Sequence, residues 1–326
     1  MFYTPLHIPS SNIRITHQSN ILTLGSCFSD EIGNLLLKHK FNVEVNPMGV
    51  VFNPISISDI LECVLSGNIS TLNHFVERDG LYFSYGLHSS LFGYSENDLI
   101  SKIEKKIYLL NNFIKSTDIL IITLGSAYVY AHTTTKKIVS NCHKQPSSFF
   151  SKSLLNVSEV VDVLKKIFEQ LHLLLPNIKI ILTVSPVRHT KDTLPLNCVS
   201  KSVLRLACHH LCEQLDYIEY FPAYEIMIDE LRDYRFYKKD MIHPNDIAIE
   251  HIWNKFSITY FPDETRDINS LWREINQALE HKPFFEHSNA YQLFLRQTLS
   301  KLEKLSAYIN VTKEIEELNN KITRLQ

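Results

Sequence analysis

The chain has 326 residues, 33 of them basic and 35 acidic, and 44% are hydrophobic. So even a balance, with no long basic cluster, argues against a dedicated nucleic-acid surface, and no apolar run reaches the roughly 20 residues that cross a bilayer. The length suits one large α/β domain, with or without an appendage. The first residues, Met1-Phe2-Tyr3-Thr4-Pro5, lack the charged and apolar regions of a signal peptide. Six cysteines at positions 27, 63, 142, 198, 208 and 212 form no Cys-x-x-Cys pair and no disulfide framework. The expectation is a soluble, reduced, cytoplasmic protein with no cofactor.

In chain order, residues 21–25 (Ile-Leu-Thr-Leu-Gly) predict a first strand, and 29–40 an amphipathic helix. Residues 41–45 alternate as a second strand, and Asn46-Pro47-Met48-Gly49 turns. A helix is predicted over 56–65, short aromatic strands around 81–85, and a helix over 98–115. Residues 118–124 (Asp-Ile-Leu-Ile-Ile-Thr-Leu) are predominantly apolar, the pattern of a strand buried on both faces. A long loop is expected over about 131–156, then a helix over 158–175 and another buried strand over 179–184. Residues 200–215 predict a helix, 217–220 a short strand, 225–232 a helix, and 246–256 the last core helix. Alternating strands and helices favour a parallel sheet with helices on both faces. Residues 1–260 are expected to form this domain, and 261–326 a helical extension that is polar and rich in Leu, Glu and Lys. There, Ile315, Leu318, Ile322 and Leu325 repeat at spacings of three and four, as do Leu295, Leu299 and Leu302. The pattern fits either a helical hairpin packed on the domain or a homo-oligomerisation element.

Only eight residues are glycine, and Gly25, Gly49 and Gly125 each lie at or close after a predicted strand, where α/β sheets build their ligand sites. Ser26 follows the first strand and opens a helix, so its hydroxyl is expected at the carboxyl edge of the sheet, where the helix dipole favours developing negative charge. An activated serine needs that location. Far downstream, Lys239-Asp240-Met241-Ile242-His243-Pro244 offers an acid and a base three residues apart. His243 is the candidate base, and Asp240 can fix its tautomer and stabilise the imidazolium. Taken alone, Asp-x-x-His also fits an ordinary helix-capping loop. The Ser26 N–H and the Gly49 N–H are candidate oxyanion donors.

These residues resemble the SGNH (GDSL-type) hydrolase superfamily, and more closely one branch of it, the GSCFA family, whose name matches Gly25-Ser26-Cys27-Phe28. The similarity continues through Asn46-Pro47-Met48-Gly49, Leu87-His88-Ser89, Thr123-Leu124-Gly125, Asn141-Cys142-His143-Lys144, Ser185-Pro186-Val187-Arg188-His189 and the Asp240–Pro244 segment, and so covers about residues 20–256. The resemblance implies a flavodoxin-like three-layer α/β sandwich with Ser26 as nucleophile, His243 as base, Asp240 as its partner and Gly49 in the oxyanion hole. The superfamily's further donor, an Asn two residues after the glycine that ends strand three, is Ala127 here; Asn141 or the Ser126 hydroxyl is the candidate substitute. The implied activity is ester hydrolysis through a Ser26 acyl-enzyme on a small acyl ester, such as an O-acetyl group on a carbohydrate. An O-acyltransferase using the same triad, and a non-catalytic binding module that keeps the fold, are the alternatives.

His88, His143, Arg188 and His189 fall in loops expected to open on the same edge and are candidate substrate contacts, Arg188 for a carboxylate or phosphate and the histidines for sugar hydroxyls. Structural hydrogen bonds account for each equally well. Cys27 is an alternative nucleophile, although the side chain after Ser26 is expected to point into the fold. Cys208-His209-His210 with Cys212 invites a metal reading, but no second ligand group has metal spacing, so core cysteines are expected and no metal.

Overall fold

The computed structural model describes residues 4–325. Its centre is a five-stranded parallel sheet: β1 (Asn20–Gly25), β2 (Asn42–Val45), β3 (Ile119–Leu124), β4 (Lys179–Val184) and β5 (Ile218–Tyr220). The spatial order is β5-β4-β3-β1-β2. This is the flavodoxin-like order, in which the strand direction of travel reverses between β1 and β3, and ligands bind outside the carboxyl ends of those two strands. β1 pairs with β3 so that Gly25 lies opposite Thr123.

The strands alternate between two apolar layers, as a period of two requires when both faces are covered. Leu22, Leu24, Leu120, Ile122, Ile180 and Leu182 face a core shared with α2 (Pro54–Ser66), α3 (Glu96–Ile114), α4 (Val157–Leu174) and α5 (Leu194–Gln214). Ile21, Ile119, Ile121 and Ile181 face the other, with α1 (Cys27–Lys38) and α6 (Asp246–Tyr260). The sandwich therefore has three layers.

The structure departs from the predicted elements in four places. The expected loop over 131–156 is largely taken up by an antiparallel sheet, Tyr128–His132 paired with Ile138–Val139 and Phe150–Leu154; its strands are short and only Val129 and Val139 in them are buried, so they gave no buried-strand signal. Helix α5 starts at Leu194 rather than residue 200, with Thr193 as its cap and Pro195 in its first turn, where a missing N–H costs nothing. The helix expected over 225–232 is one turn, Ala223–Glu225, running into a π turn at Ile226–Glu230. The helical extension expected over 261–326 divides into α7 (Asp263–Glu280), α8 (Asn289–Leu305) and α9 (Thr312–Arg324), so the Leu and Ile repeats fall on two separate helices.

These last three helices share their own core of Trp272, Ile275, Tyr291, Leu295, Leu302, Leu305 and Leu318, and the repeating Ile315, Ile322 and Leu325 pack against it from within the same chain. They are tied to the α/β layers by Trp272 Nε1–H donating to the Lys38 carbonyl at 2.7 Å and by Lys40 pairing with Glu314 at 2.6 Å. No helix among the described residues is long and apolar enough to cross a membrane.

Candidate active site

Ser26 is positioned by a glycine. Gly25 has φ +140°, and a Cβ there would lie 2.3 Å from the Thr123 carbonyl oxygen. Only glycine permits β1 to approach β3 this closely and then turn sharply. The turn makes Ser26 the N-cap of α1, its Oγ accepting from Phe28 N–H at 3.3 Å. The hydroxyl thus lies where the free N–H groups and dipole of α1 favour negative charge on oxygen. Asn46 fixes the neighbourhood: its Oδ1 accepts from Gly25 N–H at 2.8 Å and its Nδ2 donates to Asp30 at 2.6 Å, joining the ends of β1 and β2 to the first turn of α1.

Asp240 and His243 meet in the turn before α6. His243 Nδ1 lies 2.7 Å from Asp240 Oδ2, which sets the Nδ1–H tautomer and leaves Nε2 as a proton acceptor. Asp240 is itself oriented, because its Oδ1 accepts from the N–H groups of Ile242 at 2.9 Å and His243 at 3.1 Å. Those two backbone bonds and the His243 ring hold the Asp240 carboxyl well below the usual carboxylate range.

Ser26 and His243 line one cleft of about 420 Å³, together with Cys27, Val50, Phe52, Ser126, Tyr128, Tyr130, Val187, Arg188, His189, Asp192 and Ile242. It opens at the carboxyl ends of β1 and β3, the place the strand order dictates. No direct hydrogen bond joins Ser26 Oγ to the imidazole; such bonds commonly tighten only once substrate is bound.

The expected oxyanion donors are distributed differently. Ser26 N–H donates to the Thr123 carbonyl at 3.0 Å, and Gly49 N–H to the Asn46 carbonyl at 2.7 Å. Gly49, with φ +80°, is instead needed where His88 packs, 2.5 Å from where a Cβ would sit. Asn141 lies outside the cleft, its Oδ1 accepting from His143 N–H and its Nδ2 donating to Ser89 Oγ. Ser126, the other candidate substitute for the missing Asn, does line the cleft. Cys27 and Val50 also line it, and no carbonyl among the described residues accepts from the N–H of either.

Of the four expected substrate contacts, the structure brings Arg188 and His189 to the cleft but not His88 and His143. His88 bonds Ser90 beside Gly49. His143 is buried, stacked on Phe83, with its ring nitrogens on the Ser84 carbonyl and Ser89 Oγ, and burial lowers its pKa. His189 sits against Phe52 with Nε2 unpartnered, and burial, helped by the nearby Lys201 charge, pushes its pKa down to about 4. Arg188, though it lines the cleft, directs the Nε–Nη2 edge of its guanidinium at the Met241 carbonyl.

Residues 20–256 match the model of the GSCFA family, and residues 272–324 that of the GSCFA domain protein, C-terminal domain. The chain belongs to the GSCFA family. No curated protein matches it. Two solved structures are similar to this GSCFA chain in part. One is a Streptococcus pneumonia protein described as a platelet activating factor, at 12% identity and TM-score 0.38, covering 76% of this chain and 85% of that one. The other is a Corynascus thermopiles carbohydrate esterase family 2 enzyme with a carbohydrate-binding domain, at 14% identity and TM-score 0.33, covering 77% and 68%.

Beneath the cleft of this GSCFA protein lies a group that sequence reasoning missed. Lys201 on α5 is buried with no carboxylate partner; its ammonium donates to the Gly125 carbonyl at 2.7 Å and the Ser185 carbonyl at 2.8 Å. It thereby ties the ends of β3 and β4, the origins of the Ser126 and Arg188 loops. Burial pulls its pKa down to about 7. A signal was present: Lys201 shares the buried stripe of α5 with Leu204, Ala207, Cys208 and Leu211. Cys27, expected to point into the fold, reaches the cleft margin half-buried; burial and Asp30 raise its pKa, the opposite of what a thiolate nucleophile needs. Cys208 is core, and no cluster of metal-ligating side chains occurs among the described residues.

Proposed function

We propose that this protein is a serine-dependent hydrolase of acyl esters. Ser26 Oγ attacks the ester carbonyl while His243 Nε2 accepts its proton, and the imidazolium is stabilised by Asp240. The tetrahedral oxyanion forms beside the N-terminus of α1, where the Cys27 N–H, the Val50 N–H and the Ser126 hydroxyl are the available donors. His243 then returns the proton to the leaving alcohol, giving the Ser26 acyl-enzyme. Water, deprotonated by His243, releases the acid and restores the serine.

The observation that carries this reading is the 2.7 Å contact of His243 Nδ1 with an Asp240 carboxylate oriented by two backbone N–H groups, opening on the cleft that holds Ser26. The cleft volume of about 420 Å³ suits a short acyl group, and the Tyr128, Tyr130 and Phe52 rings beside it suit the face of a sugar. The test is turnover of p-nitrophenyl acetate and of O-acetylated oligosaccharides by the wild type, Ser26→Ala and His243→Ala. Release of acetate that both variants lose supports hydrolysis. Acetyl transfer to added alcohols with little free acetate would assign the same triad to a transferase. No reaction of either kind would overturn the proposal.

A further inference from the structure

The turn carrying Asp240 and His243 contains a residue in a conformation its side chain disfavours. Met241 has φ +57°, in the left-handed region, which costs free energy for any residue with a Cβ. The turn is short and closed at its base, with Lys238 N–H on the His243 carbonyl at 2.7 Å, Asn245 N–H on the Phe236 carbonyl at 2.9 Å and Met241 N–H on the Lys238 carbonyl at 2.9 Å. Because Met241 lies between the acid and the base, its backbone angles decide whether Asp240 Oδ1 can reach the Ile242 and His243 N–H groups while Oδ2 meets the ring.

Arg188, from the loop after β4, grips this turn. Its Nε donates to the Met241 carbonyl at 3.0 Å, its Nη2 donates to the same oxygen, and its backbone N–H donates to the Ile242 carbonyl at 3.2 Å. The guanidinium lies over Tyr237, 4.3 Å from the ring centroid, and near Tyr234 at 5.5 Å. A planar fork stacked on aromatic rings is pre-organised, so ordering it loses little entropy.

We propose that Arg188 is a positioning residue for the acid–base pair: it holds the carbonyl of the left-handed Met241 and so keeps Asp240 aligned with His243. This deepens the reading of His243 as base and rests on it for its catalytic consequence, but the structural link stands by itself. Arg188 would then commit its Nε–Nη2 edge to the turn rather than to a substrate carboxylate or phosphate.

The test uses the full-length wild type, Arg188→Ala, Arg188→Lys, and the double variant Arg188→Ala/Met241→Gly. Two quantities are measured: amide hydrogen exchange at residues 238–244, and the rate of Ser26 labelling by a fluorophosphonate. Arg188→Ala should speed exchange of the Ile242 and His243 amides and slow labelling, each by about tenfold, the factor that corresponds to the left-handed penalty of a non-glycine residue. Arg188→Lys, which keeps charge but loses the fork, should fall between. Glycine at 241 removes the penalty, so the double variant should recover both quantities to within about threefold of the wild type. That recovery separates positioning through Met241 from general loosening. Unchanged exchange in Arg188→Ala, or faster exchange that Met241→Gly does not restore, would overturn the proposal. A wild type that is never labelled would contradict the proposed function, while the exchange measurement would still decide the role of Arg188.

Discussion

Replacing Lys201 by Met removes a buried charge while nearly keeping the volume. In the folded chain Lys201 titrates near pH 7, against 10.5 for a free lysine, because burial penalises its charged form. Between those values the unfolded chain holds a proton that the folded chain has released, so the lysine makes stability rise with pH. The gap of about 3.5 pH units corresponds to about 5 kcal/mol across the window, with a slope approaching 1.4 kcal/mol per pH unit. Below about pH 7 both states are protonated, and the penalty is full and constant. Methionine has no proton to exchange and loses this contribution. Urea unfolding of the wild type and Lys201→Met, at intervals from about pH 6 to 10, isolates it by difference, since the tyrosines and cysteines titrating there are shared. The lost bonds to the Gly125 and Ser185 carbonyls lower the variant's curve, by about 1–3 kcal/mol for each buried acceptor left unsatisfied. The stability of the variant relative to the wild type should fall by several kcal/mol from pH 7 to 10. A difference constant within about 0.5 kcal/mol would refute the account of Lys201 as a buried, depressed ammonium.

Other outcomes follow from the same geometry. Gly25→Ala should destabilise the chain by at least about 3 kcal/mol in urea unfolding, because the new Cβ meets the Thr123 backbone at 2.3 Å and φ +140° excludes it. Asp240→Asn should keep the fold but slow fluorophosphonate labelling of Ser26 by about two to four orders of magnitude, because the His243 tautomer is no longer fixed. His189 should show no NMR titration between about pH 5 and 8; as pH falls from 6.5 towards 4, the unfolded chain takes up the proton first, and stability declines by up to about 3 kcal/mol. Cys27 should react with iodoacetamide at about pH 8 far more slowly than a free thiol, and match it only in urea.

The layers and the place of Ser26 at the carboxyl edge of the sheet were legible in the sequence because the signals are local. The apolar runs ending at Gly25 and Leu124 specify buried parallel strands, and Gly-Ser at the head of a helix specifies a cap. The donors were less legible. Whether the Gly49 N–H is free depends on a bond to Asn46 within the same turn, and the seclusion of Asn141 depends on His143 and Ser89 packing around it. The arm over Tyr128–Leu154 escaped detection because its strands pair with each other at the surface rather than through apolar faces. For Arg188 the sequence leaves a substrate contact and a structural hydrogen bond equally open, because nothing local reveals that its partner carbonyl is 53 residues away. Lys201 was missed although its signal is local, a charge on the buried stripe of α5.

The most direct test of an activated serine is to treat the purified protein with a fluorophosphonate and map the adduct by mass spectrometry, with His243→Ala alongside. The account predicts a single adduct on Ser26 that is absent from the His243 variant. An adduct on Cys27, an adduct on Ser26 that persists without His243, or no adduct at all would contradict it.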